Sequence, residues 1–320
     1  MSVYVVTGGA GFIGSNIVQR LLREEEVVRV VDDFSTGRRD NLVGIQTDIA
    51  VFEGSICDAG LLGQAFEGAD YVLHQAALAS VRGSVDDPLR TNEVNVAGTL
   101  KVLAAARDCD VKRVVYASSC AVYGDAPGQP KNEEMLPAPV SPYAVSKLAG
   151  EHYCAAFARV YGLETVSLRY FNVYGPRQDP NSQYAAVIPV FIRAVLEGER
   201  PRVFGDGEQS RDFVFVDDVV DANLRAARVP KAAGAVVNVG TGESHTLNEV
   251  LRLLGEIAGA EVEAEHDEPR PGDVRESQAD PARAREVLGF RARVGFEEGL
   301  RKTVEWYEGK EATTFFLPGA

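Results

Sequence analysis

Apolar residues in the first 120 positions gather in short β-branched runs separated by longer amphipathic stretches. VYVVTG predicts a strand and FIGSNIVQRLLREE a helix, since apolar residues recur there with a helical repeat. VVRVVDD and VFEGSI predict strands, AGLLGQAFEG a helix and DYVLHQA a strand. LRTNEVNVAGTLKVLAAARD then predicts one long helix and KRVVYASS a further strand. Strands alternating with helices imply βαβ units and a parallel sheet, and near-continuous apolar strands imply burial on both faces.

Past residue 170 the rhythm loosens. YGPRQDPNSQYAAVIP and PRVFGDGEQSRD are rich in turn formers and predict ligand loops. DFVFVDDVVDANLRAARV and AVVNVGTG return to the strand–helix pattern, TLNEVLRLLGEIAG predicts an amphipathic helix, and PRPGDVRESQADPARAREVLGF passes from loop to helix. No repeat or low-complexity segment interrupts the chain. The expected fold is α/β: a Rossmann-type doubly wound parallel sheet with a smaller, interleaved α/β C-terminal substrate domain. Residues 1–170, with about 213–240, are expected in the dinucleotide domain, and 171–212 with 241–320 in the substrate domain.

Composition removes several classes of function. A net charge of -14 argues against a broad basic face for nucleic acid. No apolar run approaches the ~18 residues that span a bilayer, and MSVYVVTGG lacks the layout of a signal peptide, so a cytoplasmic protein is expected. Cys57, Cys109, Cys120 and Cys154 sit at unrelated spacings, so neither a disulfide framework nor a zinc site is indicated.

VTGGAGFIGSN joins the first strand to the first helix. Gly8, Gly11 and Gly14 are three apart, and from Gly9 the stretch also fits G-x-G-x-x-G. Such glycines permit a tight turn and a close approach to a pyrophosphate at the helix N-terminus. Asp32 ends the second strand eighteen residues beyond Gly14, where a carboxylate suits ribose hydroxyls and repels a 2′-phosphate. NAD is therefore expected over NADP, although Arg38 and Arg39 follow closely.

In YAVSK, Tyr143 and Lys147 stand four apart and share a helix face. The lysine ammonium and a nearby nicotinamide ring both favour phenolate, so Tyr143 is expected to work as a base with a lowered pKa. Ser118 and Ser119 end the strand RVVYASS, where a hydroxyl can share a hydrogen bond with substrate and Tyr143.

In this order, GGAGFIG, SSCAVYGD, YAVSK, LRYFNVYGP, SRDFVFVDD and RPGD resemble the extended short-chain dehydrogenase/reductase superfamily, and more closely the UDP-hexose 4-epimerases. The resemblance runs over nearly the whole chain. It implies a catalytic triad of Ser119, Tyr143 and Lys147, with Ser118 and Asn95 on the cofactor side. It extends the NAD site to Phe12 and Ile13 in the glycine loop, and to Asp33, Ser35, Thr36 and Gly37 after Asp32. Ile56, Ala76, Ala77 and Tyr170 complete that site, with Ser55 standing where the family often has an aspartate near adenine.

The implied reaction is epimerisation at C4 of a UDP-hexose with tightly bound NAD. Asn172, Arg211 and Arg270 match the family's diphosphate contacts, Phe204 the residue under uracil, and Asp273 a ribose contact. The related 4,6-dehydratases and UDP-glucuronate decarboxylases place an acid two residues after the triad's serine or threonine, where this chain has Cys120 and Ala121. Ser277 stands where epimerases restricted to UDP-glucose and UDP-galactose carry tyrosine, and Ser80 resembles the pocket serine of enzymes preferring acetylated sugars. UDP-GlcNAc and UDP-GalNAc are thus the expected substrates, with UDP-glucose and UDP-galactose also turned over. The alternatives are a UDP-glucuronate 4-epimerase, against which FNVYG counts, or another NAD-dependent nucleotide-sugar oxidoreductase. A homodimer is expected by resemblance, through helices whose Ala97, Gly98, Ala149 and Ala155 would admit close packing.

Overall fold

The computed structural model describes residues 1–181, 186–269 and 275–314, so Arg270 and Asp273 lie outside the described residues. The N-terminal strands are β1 (Val3–Thr7), β2 (Val27–Asp32), β3 (Ile49–Glu53), β4 (Tyr71–His74), β5 (Arg113–Ser119) and β6 (Glu164–Tyr170). Then follow β7 (Asn172–Tyr174), β8 (Arg202–Phe204), β9 (Ser210–Arg211), β10 (Phe213–Phe215), β11 (Val236–Val239), β12 (His245–Thr246), β13 (Glu265–Asp267) and β14 (Glu276–Ser277). Seven of them form one parallel sheet in the order β11-β6-β5-β4-β1-β2-β3. The order reverses between β1 and β4, which opens a crevice at the carboxyl ends of the strands.

Helices cover both faces. On one side lie α1 (Phe12–Arg23), α8 (Val216–Arg228) and α10 (Ala282–Leu288); on the other α2 (Ala59–Phe66), α5 (Thr99–Asp108) and α6 (Pro142–Tyr161). In α1 the apolar stripe Ile17, Val18 and Leu21 is fully buried, each residue stabilising the fold by about 1.5–3 kcal/mol. Helix α6 begins at Ser141, whose Oγ accepts from the Ala144 N–H at 3.2 Å, with Pro142 at the first helical position. It ends at Gly162 in the left-handed region.

A second apolar core lies around Tyr174, Phe191, Phe213, Phe215 and Leu254. It takes residues from α7 (Val187–Glu197), β10, α9 (Leu247–Ala258) and α11 (Phe296–Thr314), so the chain enters and leaves the large sheet's layer more than once. The small strands pair as β10-β7, β12-β9-β14 and β13-β8. No helix among the described residues is long and apolar enough to cross a membrane.

Two local expectations change. The stretch 89–108 is divided among α4 (Pro88–Asn92), a π-helical segment (Glu93–Gly98) and α5, because Asn95 turns inward to bond Leu78 and Gly98 packs on Ile56. A Cβ on Gly98 would stand 2.8 Å from Ile56 Cδ1, so packing within the chain already requires this glycine. The strand expected over 51–56 is β3, which stops at Glu53 and leaves Gly54 to Ile56 as a loop. On the outside, Val85 of α3 (Val81–Asp86), Leu89 of α4 and Val145 of α6 are exposed.

Candidate active site

The phosphate loop folds as its glycines dictate. Gly8 has φ +69, and a Cβ there would meet the Ala76 backbone at 2.7 Å. A Cβ on Gly14 would lie 2.1 Å from the Gly8 carbonyl oxygen, so only glycine lets α1 start this close to β1. No side chain caps α1 at Gly11. Its first N–H groups are left for an anion in the cavity that Gly8, Gly11, Phe12, Ile13 and Gly14 line. The cradle fits a dinucleotide diphosphate.

The same cavity runs along the sheet's carboxyl edge. Asp32, Asp33, Ser35, Thr36 and Gly37 line it beyond β2, and Ser55 and Ile56 beyond β3. Ala76 and Ala77 line it after β4, Ser118 on β5, Tyr170 on β6, and Tyr143 and Lys147 on α6. Asp32 Oδ2 accepts from the Ala10 N–H at 2.8 Å, and Oδ1 from the Phe34 N–H at 2.8 Å. Burial raises the Asp32 carboxyl above its ordinary value, against the pull of those two N–H groups. Gly37 leaves space beside it, since a Cβ would come within 2.8 Å of Asp32 Oδ1. Arg38 pairs with Asp40 and Asp179, while Arg39 pairs with Glu53 and lies 3.9 Å over the Phe34 ring. Both cations near the ribose end are engaged by acids, which favours a plain ribose over a 2′-phosphate.

Lys147 Nζ donates to the Ala117 carbonyl at 2.8 Å and stands 5.8 Å from the centre of the Tyr143 ring. Tyr143 as a residue is partly exposed, but burial of its hydroxyl end pushes the phenol up to about 12. A hydrogen bond with Ser119 pulls it down only in part, and Cys120 pushes it up. The expectation that Lys147 lowers the phenol's pKa is not met by the chain alone. Desolvation of the hydroxyl dominates, and burial also lowers the pKa of Lys147 to about 8.

Asn95 is not a cavity residue. Its amide accepts from the Leu78 N–H at 2.8 Å and donates to the Leu78 carbonyl and to Ser146 Oγ, each at 3.0 Å. Ser146 in turn donates to the Tyr143 carbonyl at 2.7 Å, so Asn95 braces the first turn of the catalytic helix from behind.

On the facing wall, β9 places Arg211 beside Ser277 of β14. The Cys120 thiol hydrogen-bonds both Ser277 and Ser119 and lies within reach of Arg211, and burial raises its pKa to about 11. Ser119, Cys120, Arg211 and Ser277 therefore converge. Asn172 on β7 donates to the Asp212 carbonyl through its backbone N–H at 3.0 Å and Nδ2 at 3.3 Å. Phe204 ends β8. Ser80 is spent locally as the cap of α3, its Oγ accepting from the Gly83 N–H at 2.8 Å.

Several residues escaped the sequence reading. Gln75 and Arg90 also line the cavity. Gln75 Nε2 donates to Asn223 Oδ1 at 3.0 Å, and Tyr170 donates to the same oxygen at 3.0 Å. Glu151 and Arg169 form an ion pair behind Ser118. Glu151 was within reach of pattern reading, since it continues the spacing of Tyr143 and Lys147; nothing local to the sequence points to Arg90.

Residues 4–240 match the NAD dependent epimerase/dehydratase family. A UDP-glucose 4-epimerase from Mycolicibacterium smegmatis is 44% identical over 310 residues, covering 96% of this chain and 98% of that protein. The solved UDP-N-acetylglucosamine 4-epimerase from Methanobrevibacter ruminantium, in complex with UDP-N-acetylmuramic acid, superimposes with a TM-score of 0.93 at 41% identity, covering 97% and 99% of the two chains. The Thermus thermophilus UDP-glucose 4-epimerase, solved in complex with NAD, gives 0.88 at 42% identity over 96% and 99%. With the glycine cradle, the Tyr143–Lys147 pair and this extent of likeness, the chain belongs to the NAD dependent epimerase/dehydratase family and groups within it with the UDP-hexose 4-epimerases.

Proposed function

We propose that the protein interconverts the C4 epimers of a UDP-hexose with NAD held through the turnover, and that it prefers the 2-acetamido sugars. The observation that carries this is the placement of Tyr143 and Lys147 on the floor of the dinucleotide cavity, with Ser119 hydrogen-bonded to Tyr143 and a cysteine beside it. Held by the glycine loop and the cavity beyond β2, NAD would supply the hydride acceptor and donor that chemistry at C4 requires. Tyr143 removes the proton from the 4-hydroxyl and later returns one, with Ser119 sharing that hydrogen bond. Lys147 keeps a positive charge beneath the phenol and orders the end of β5 through Ala117.

Arg211 and Asn172 hold the diphosphate, which lets the 4-keto sugar turn over without leaving. Phe204, with Arg270 and Asp273, completes that reading on the nucleotide side. Cys120 and Ala121 offer no acid to expel water or assist decarboxylation. The small Ser277, in contact with Cys120, leaves space for an acetamido group. Ser80, tied to its helix cap, supports the preference only indirectly.

The test is an assay of purified protein on UDP-GlcNAc, UDP-glucose and UDP-glucuronate with no added cofactor, resolving the C4 epimers. Turnover is expected to be fastest with UDP-GlcNAc. Ser277→Tyr should lower that activity more than about tenfold and spare UDP-glucose. A wild-type preference for UDP-glucose or UDP-glucuronate would refute the acetamido assignment, and a requirement for added NAD would refute a retained cofactor.

Arg90 is read as a diphosphate contact, since its exposed cation lines the cavity and forms no ion pair among the described residues. Arg90→Ala should speed loss of NAD on dialysis about tenfold at low salt, with the difference shrinking as salt rises. Equal loss from the two proteins at low salt would remove Arg90 from the site.

A further inference from the structure

The end of β5 is fastened at three consecutive residues. The Ala117 carbonyl accepts from Lys147 Nζ at 2.8 Å. Ser118 Oγ donates to Glu151 Oε1 at 2.5 Å. Ser119 Oγ accepts from the Ala121 N–H at 3.1 Å and hydrogen-bonds Tyr143. The partners Tyr143, Lys147 and Glu151 stand four residues apart on α6 and so share one face.

Glu151 does not reach the cavity. It is 5% exposed, and Arg169 of the neighbouring strand β6 grips it through Nε at 2.9 Å and Nη2 at 2.7 Å. Arg169 is itself buried, lies 4.8 Å over the Tyr123 ring and leaves Nη1 without a hydrogen-bond partner. A pair of this kind is weak evidence for stability, because well-packed apolar residues in its place are often neutral or stabilising. Its effect here is one of direction. A serine has a single hydroxyl proton, and that of Ser118 is committed to a carboxylate, so towards the cavity Ser118 offers lone pairs only.

We propose that Glu151, held by Arg169, is a positioning residue for the proton-transfer site: it fixes Ser118 as an acceptor and, with Lys147, sets Ser119 against Tyr143. This rests on the epimerase reading above. Neither residue touches the reacting atoms.

The experiment compares wild type, Ser118→Ala, the paired change Glu151→Leu with Arg169→Leu, and the triple variant. Each is assayed for C4 epimerisation and for reduction of bound NAD by UDP-sugar, followed by the absorbance of the reduced nicotinamide. The paired variant should fold and keep its KM within about threefold, while kcat falls about 10- to 100-fold and the acidic limb of its pH profile moves. Ser118→Ala should show a comparable loss, and the triple variant should be no worse than the paired one, as expected of groups acting in series. Wild-type kcat in the paired variant, or losses that multiply in the triple variant, would overturn the proposal. Should the paired variant fail to fold, Ser118→Ala decides alone, because it leaves the ion pair intact and full activity there sinks the idea. A wild-type protein that reduces its NAD but forms no epimer would refute epimerisation only, and the reduction rates of the same variants would still test the pair.

Discussion

Tyr143→Phe is expected to lower kcat for C4 epimerisation about a thousandfold, with bound NAD and the KM for UDP-sugar nearly unchanged. The ring stays and only the hydroxyl goes, so packing against Lys147 and the cavity floor survives. The pH profile carries the sharper test. Burial holds the phenol up to about 12, so at neutral pH the free site is almost wholly protonated. A base of that kind gains about tenfold in its active form per pH unit below its pKa, and log kcat/KM of the wild type should rise with pH at that slope. The residual rate of the phenylalanine variant should be flat. The pH at which the wild-type rise levels off measures how far the bound cofactor and substrate lower the phenol. A wild-type profile with no rise, or a variant that keeps a tenth of the activity, would remove Tyr143 as the base.

Lys147→Met is expected to separate activity from stability. Lys147 is 4% exposed, and burial lowers its pKa from 10.5 to about 8. A folded pKa below the unfolded value means that the stability linked to this group is full above about 10.5 and is lost as pH falls through about 8. At pH 7 the buried ammonium therefore costs on the order of 3 kcal/mol. Methionine removes that cost but leaves the Ala117 carbonyl without its donor, a loss on the order of 1 kcal/mol. The cofactor-free variant should unfold about 2–5 °C higher at pH 7, and its advantage should shrink as pH rises towards 10.5. Epimerisation should fall about 100- to 1,000-fold, because nothing else on that face of α6 places a positive charge under Tyr143. A variant less stable than wild type at pH 7 would show that the protein holds this charge favourably.

What the sequence made legible was local. The glycine spacing at Gly8, Gly11 and Gly14, the carboxylate at Asp32 and the interval from Tyr143 to Lys147 each follow from a single turn or helix. In the fold, Gly8 takes the left-handed turn, and Asp32, Tyr143 and Lys147 line the same cavity as the glycine loop. The misses depended on partners far away in the chain. Asn95 looked like a cofactor residue until its bonds to Leu78 and Ser146 placed it behind the cleft. The division of the helix over 89–108 follows from the packing of Gly98 on Ile56, which no helical repeat encodes. Arg169 could not be matched to Glu151 from their 18-residue separation, because only the pairing of β6 with β5 brings it beneath α6. The state of the phenol was misjudged for another reason. Counting nearby charges gives the sign of Lys147's influence, but how much water is lost around the hydroxyl is a property of the folded cleft.

The second apolar core is assembled from stretches on both sides of β11, the strand that completes the edge of the large sheet. No single crossover point in a gene could exchange one core and leave the other whole. In such an architecture neither core can be exchanged as a module. Change in the cleft is left to single residues beside the strands, such as Cys120 after β5 and Ser277 on β14, while the scaffold beneath them is inherited intact.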